Sequence, residues 1–242
     1  MADLAVTIMK FGGTSVEDVA AIERLVGIVS SVYRSKISHP VVVVSALSGV
    51  TNALLASFDQ ATAGDPAGAA KLLAPQWERH LAVARALTQE TATIIDLLET
   101  SRREITELLQ AAAAETRPRP LRQDEIVSYG EMLSANLLAT VLRHANLPAQ
   151  LVDARRCIIT NDDHGNAEPL PTEIQVRTRA ELDPLIAAAA IPVLGGFVGA
   201  TVDGVTTTLG RGGSDYTAAL LGAALAANEV QIWTDVTGVL TA

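Results

Sequence analysis

Thr7–Ile22 reads TIMKFGGTSVEDVAAI. Strand-forming residues run up to a lysine, Lys10; Gly12 and Gly13 then clear the chain of side chains, and an acidic stretch follows. The apolar run has the length of a buried strand and no helical period. Thr14 and Glu17 have the spacing of a capping box, which predicts a helix starting here. Strand, bare turn and helix in that order open a βαβ unit, and the following stretches complete it. Ile22, Val26, Val29 and Tyr33 fall on one helical face, and PVVVVSAL is a second continuous apolar run between Pro40 and Ser48–Gly49. Runs that are apolar at every position suit parallel strands covered on both faces.

The alternation is interrupted once. From Thr51 to Thr116 the chain is rich in Ala, Leu, Glu and Arg and carries no strand signal, which predicts several helices with a break near AGDPAG, at Gly64 to Gly68. RPRPLR should end this stretch as a solvated connection, because closely spaced prolines do not continue a helix. Beyond it, DEIVSYGEMLSANLLATVLRHA reads as a long helix with Asp124 and Glu125 at its N-terminal dipole. LPAQLVDA, CIIT, IPVLGGFVGA and EVQIWTDV read as strands, TRAELDPLIAAAA and YTAALLGAALAA as helices, and DGVTTTLGRGGSD as a loop that starts as a hairpin. The expected fold is α/β: a three-layer αβα sandwich with a mainly parallel central sheet, spanning 1–242 as one domain, with 53–123 as a helical excursion within it.

The formal net charge of −9 argues against nonspecific nucleic-acid binding, which needs a basic surface, but leaves room for an anionic small molecule in a locally positive pocket. No apolar run approaches the roughly 20 residues that cross a bilayer, and MADLAVTIMK lacks the marks of a signal peptide. Cys157, the single cysteine, cannot pair within the chain; this fits a reducing, cytoplasmic compartment and a thiol that serves as a small apolar group. Asp162, Asp163, His164 and Glu168 in NDDHGNAEPLP lack the spacing of a helical metal motif and read as a solvated loop.

Two stretches carry chemistry. Ligands of open parallel sheets bind beyond the carboxyl ends of the strands, where Lys10 stands. Lysine, the bare amides of Gly12 and Gly13 and a helix N-terminus together make a phosphate cradle; a tight βα turn with Lys10 snorkelling to solvent explains the same residues equally well. In TTTLGRGGSDYT, Gly210, Gly212 and Gly213 bracket Arg211, whose planar fork suits a carboxylate or phosphate. Ser214 or Asp215 is placed to cap the next helix, and Asp215 alternatively to hold a lysine or a substrate ammonium. Three glycines around an arginine exceed what a surface loop with an ordinary cap requires.

KFGGTSV, VVVVSALSGVTN, VSYGEMLSANLLA, TTTLGRGGSDYTAALLGAAL and IWTDVTGVLTA resemble, in order and across nearly the whole chain, the signature segments of aspartokinases in the amino-acid kinase family. The resemblance implies ATP-dependent phosphorylation of the L-aspartate side-chain carboxylate to 4-phospho-L-aspartate, the first step towards lysine, threonine and methionine, with Mg2+ carried by the nucleotide. It puts Lys10 on the transferring phosphoryl group with Asp215 orienting it, and Gly12 and Gly13 on phosphate oxygens. It places Ser45, Thr51 and Ser214 beside the bound aspartate, Glu131 on its ammonium, Arg211 on its α-carboxylate and Phe197 against it. Thr234 and Asp235 would border the adenine and ribose. Without the resemblance, Glu131 reads as a solvated mid-helix residue, Ser45 as a strand end and Phe197 as core.

Aspartokinases continue past TDVTGVLTA with a further lysine near the phosphates and with paired ACT domains, and assemble as homo-oligomers. The expectation for these 242 residues is a catalytic domain truncated at its C-terminus, without regulatory ACT domains and weakly active or inactive alone. Two other readings stand beside this one: a related kinase acting on glutamate, acetylglutamate or carbamate, against which Arg211 in GRGGSDYT and the SYGE segment weigh, and a noncatalytic amino-acid-binding or scaffold piece.

Overall fold

In the computed structural model, which describes residues 5–89, 91–114 and 117–234, the opening run is strand β1 (Val6–Phe11), buried throughout. In chain order follow α1 (Val19–Ser35), β2 (His39–Val44), α2 (Val50–Thr62), α3 (Pro66–Leu72), α4 (Ala74–Leu87), α5 (Thr91–Ala113) and α6 (Arg119–His144). The second half contains β3 (Ala149–Leu151), β4 (Ile159–Thr160), α7 (Pro171–Ala187), β5 (Ile191–Gly195), β6 (Val198–Thr201), β7 (Thr206–Thr208), α8 (Gly213–Leu225) and β8 (Glu229–Trp233). Five strands form an all-parallel sheet in the order β3-β5-β2-β1-β8. A smaller sheet, β4-β6-β7, ends in the antiparallel β6–β7 hairpin.

The strand period of two sorts the core into two layers. Met9, Phe11, Val42 and Val44 join Leu54, Phe58, Ile105 and Leu138 on one face of the sheet. Ile8, Val41, Val43 and Leu194 join Leu182 of α7 and Leu221 of α8 on the other. Each such side chain contributes about 1.5–3 kcal/mol by leaving water. Helices therefore cover both faces of a mainly parallel sheet, the predicted α/β sandwich. Phe58, Ala69, Val83, Ile94 and Leu109 of the helical excursion share the first core layer with the sheet. Cys157 is fully buried, and burial pushes its thiol up to about 12.

Four local expectations are corrected. Thr14 and Glu17 do not start α1: Gly13–Val16 is a short 3-10 turn, and Asp18 caps α1 by accepting from Ala21 N at 2.8 Å. RPRPLR opens a helix instead of separating two. Pro118 is the N-cap of α6 and Pro120 lies in its first turn, where a missing N–H leaves no bond unmade. Residues 117–120 are exposed, as expected, but the end of the segment is not: Arg122 is buried and donates to the Ala112 carbonyl, and Arg119 and Arg122 lie over the Phe58 ring, 4.9 and 5.9 Å from its centroid. Asp124, now inside α6, is fully buried. In the Asn161–Glu168 loop Asp162, Asp163 and Glu168 are exposed as expected, but His164 is docked, its side chain only 13% exposed against Asp124.

Candidate active site

A cavity of about 390 Å³ opens past the carboxyl ends of β1 and β2. Lys10 reaches it because even-numbered β1 positions face α8. Its Nζ stands 2.6 Å from Oδ1 of Asp215, in the first turn of α8, and the residue is 7% exposed. A buried ammonium needs such a partner, since an unpaired charge away from water is costly. Snorkelling to solvent is thereby excluded.

The two glycines after Lys10 do different things. Gly12 N donates to the Trp233 carbonyl at 3.0 Å, so this amide ties β1 to the end of β8 and is not offered to an anion. Gly13 lines the cavity, and its N–H has no hydrogen-bond partner among the described residues. A Cβ on Gly13 would stand 3.0 Å from the Ala46 carbonyl, so its bareness admits the 46–48 backbone. That segment is held from three sides. Ser45 N donates to Phe11 O at 3.0 Å, Ser134 Oγ to Ser45 O at 2.8 Å, and Arg79 of α4 to Ser48 O at 2.6 Å. Ser45 and Thr51 line the cavity; Gly49, in the left-handed region at φ 83°, is the N-cap of α2.

Opposite Lys10 lies the glycine–arginine loop. Gly210 (φ 72°) and Gly212 (φ 76°) hold left-handed conformations that L side chains resist. Gly212 itself is the N-cap of α8, so neither Ser214 nor Asp215 caps it. Arg211 lines the cavity between these glycines and has no carboxylate partner among the described residues. Ser214 packs on Gly196, where a Cβ would stand 2.6 Å from that of Ser214. Phe197 lines the cavity at φ 66°, a conformation costing a bulky residue about 1–3 kcal/mol. Its N–H donates to Thr217 Oγ1 at 3.0 Å.

Glu131 enters from α6. It is 3% exposed, and Gly195 admits it, since a Cβ there would meet Glu131 Cβ at 2.9 Å. Burial pushes its carboxyl up to about 8, against the pull of backbone hydrogen bonds, and Oε2 has no hydrogen-bond partner among the described residues. A larger cavity of about 600 Å³ touches the first through Glu131 alone. Its other carboxylates are matched: Glu104 accepts from Tyr129, Glu125 pairs with Arg117 and Asp153 with Arg155. With Lys10 and Arg211, the smaller cavity is the one equipped for an anionic ligand.

Lys10, Gly13, Ser45, Thr51, Glu131, Phe197, Arg211, Ser214 and Asp215 thus share one cavity. Thr234 is exposed near its rim, Oγ1 3.9 Å from where a Gly12 Cβ would stand. Asp235 lies outside the described residues. Sequence reasoning missed Arg79 and Asp124. Arg79 has no sequence signal; Asp124 has one, a carboxylate one heptad before Glu131 on one helix, although an acidic pair ahead of an apolar run equally fits a helix start.

The profile of the amino acid kinase family matches residues 5–242. The lysine-sensitive aspartokinase 3 of Escherichia coli is 39% identical over 239 residues, covering 98% of this chain and 50% of that protein. The chloroplastic aspartokinase 1 of Arabidopsis thaliana is 34% identical over 238 residues, covering 97% of this chain and 41% of its own. The structure of E. coli aspartokinase III in complex with aspartate and ADP superposes with a TM-score of 0.87 at 39% identity, over 96% of this chain and 50% of that one. The chain spans about half the length of the relatives it matches.

Proposed function

The chain belongs to the amino acid kinase family, and from that premise we propose that it is the catalytic domain of an aspartokinase, transferring the γ-phosphoryl group of ATP to the side-chain carboxylate of L-aspartate. One observation carries the reading: a buried Lys10 paired with Asp215, Arg211, and a Glu131 carboxyl whose Oε2 has no partner among the described residues face one cavity of about 390 Å³. Support comes from the aspartokinases among its relatives and from the aspartate and ADP named for the E. coli structure.

The chemistry asks little of the protein beyond placement and charge. The acceptor carboxylate is already ionised at neutral pH, so no general base is needed. One of its oxygens bonds to phosphorus, the bond from phosphorus to the ADP oxygen breaks, and the products are ADP and an acyl phosphate. Charge spreads over the transferred group on the way, and a fixed ammonium stabilises it most where water is excluded. Lys10 supplies that ammonium and Asp215 holds it in place. The Gly13 amide adds a donor.

Arg211 meets the substrate α-carboxylate with its fork, and Glu131 meets the ammonium, so a zwitterion is clamped at both charges. Ser45, Thr51 and Ser214 supply hydroxyls, and Phe197 forms a wall. Thr234 and Asp235 serve the ribose side. Mg2+ comes with the nucleotide, held chiefly by phosphates and water.

Hydroxylamine trapping tests the assignment, because it converts an acyl phosphate to a hydroxamate. ATP-dependent hydroxamate should form with L-aspartate and not with glutamate. Preference for glutamate, acetylglutamate or carbamate would favour the other acid kinases. Aspartate binding with no product under any condition would favour a noncatalytic binding domain.

A further inference from the structure

Arg211, the residue that must find the substrate carboxylate, has no charged partner among the described residues, and glycines in left-handed conformations flank it. Its position is therefore set by the backbone around it, and that backbone rests on Asp124. Oδ1 of Asp124 accepts from Thr208 Oγ1 at 2.6 Å, in β7 just ahead of Gly210. Oδ2 accepts from Gly165 N at 3.0 Å and stands 2.9 Å from His164 Nδ1.

The two segments gathered there also meet each other. Ala167 N donates to Thr208 O at 2.9 Å, and Asn166 Oδ1 lies so close to Gly210 that a Cβ would stand 2.6 Å from it. Asp124 is 0% exposed and sits two helical turns before Glu131 on α6. One helix face thus carries the carboxylate that meets the ligand and the one that braces the loop opposite. A buried carboxylate accepting from several donors is among the more rigid anchors a fold offers.

We infer that Asp124 is a positioning residue for Arg211: it holds Thr208 and the His164–Gly165 turn so that the guanidinium faces the α-carboxylate of the substrate. The inference rests on the proposed role of Arg211. A residue needed only for folding would weaken every ligand alike. A residue acting through Arg211 weakens only ligands that bear an α-carboxylate. β-Alanine is aspartate without that group, and it separates the two.

The experiment is calorimetric binding of L-aspartate and β-alanine to the protein and its variants. Asp124→Ala should raise the aspartate dissociation constant about tenfold, the scale of a lost charge-assisted hydrogen bond, and leave that of β-alanine within about twofold. Asp124→Asn should restore aspartate binding to within about threefold, because the amide oxygen still accepts and the Thr208 hydroxyl can turn to accept from the amide. Should Asp124→Ala not fold, Thr208→Val and His164→Ala each remove one strut and should weaken aspartate about threefold without affecting β-alanine. Arg211→Ala combined with Asp124→Ala should bind aspartate no more weakly than Arg211→Ala alone. Equal weakening of both ligands, unchanged aspartate affinity in folded Asp124→Ala, or full additivity in the double variant overturns the positioning role and leaves the assignment of Arg211 standing. Arg211→Ala with unaltered aspartate affinity overturns the assignment of Arg211 itself.

Discussion

Lys10 and Glu131 face the same cavity, are buried to nearly the same depth and are electrostatically opposite in more than sign. Lys10, 7% exposed, has the Asp215 carboxylate at 2.6 Å. Glu131, 3% exposed, has an oxygen with no partner among the described residues, and burial pushes its carboxyl up to about 8. Depth alone does not decide how a buried charge behaves; the partner does. The phosphate end of the cavity is finished before a ligand arrives. The amino end is completed by the ligand, whose ammonium supplies the missing countercharge.

The largest effect should follow from removing the finished end. Lys10→Ala should lower hydroxamate formation by about a thousandfold, at the upper end of what one preorganised donor contributes, while aspartate affinity stays within a few-fold. Loss of aspartate binding instead would mean that both ends serve the amino acid, and the contrast would collapse.

Glu131→Gln should give the reverse pattern, an aspartate dissociation constant raised about tenfold or more with ATP affinity unchanged. A smaller effect concerns stability. The Glu131 carboxyl titrates near 8 when folded against about 4.5 when unfolded, so the folded state binds the proton more tightly. Its contribution is full below about 4.5, declines as pH rises and is lost above about 8. The melting temperature of Glu131→Gln should therefore gain on that of the native protein between pH 6 and pH 9, by scanning calorimetry. A constant difference across that range would place Glu131 in contact with water or a cation.

The same contrast explains what could be read from the residues beforehand. Lys10 was readable because strand period and strand end are both local properties, and they deliver it to a sheet-end site whatever packs around it. The glycine–arginine loop was readable because its bare positions have few other uses. Glu131 was singled out only by family resemblance, since nothing in a helical period distinguishes a buried carboxylate from a solvated one when the helix is covered on several sides.

The misreadings have local causes too. Asp124–Glu125 before an apolar run has the pattern of a helix start, and Pro118 and Pro120 had already started that helix upstream. Thr14 and Glu17 have capping-box spacing, but the turn around Gly13 is drawn against the Ala46 carbonyl and Asp18 does the capping. Gly12 resembled an anion donor until β8 arrived from more than two hundred residues away to accept its N–H. For Gly12 and the Gly13 turn a distant segment overruled a local rule; for Asp124 a stronger local signal just upstream did.

Proton release on aspartate binding tests most directly whether the ligand completes the amino end. At pH 7 the Glu131 carboxyl, titrating near 8, is mostly protonated and must ionise to meet an ammonium. Calorimetry at that pH in buffers of differing protonation enthalpy should report close to one proton released per aspartate bound, and none for Glu131→Gln. No proton release from the native protein would contradict the account.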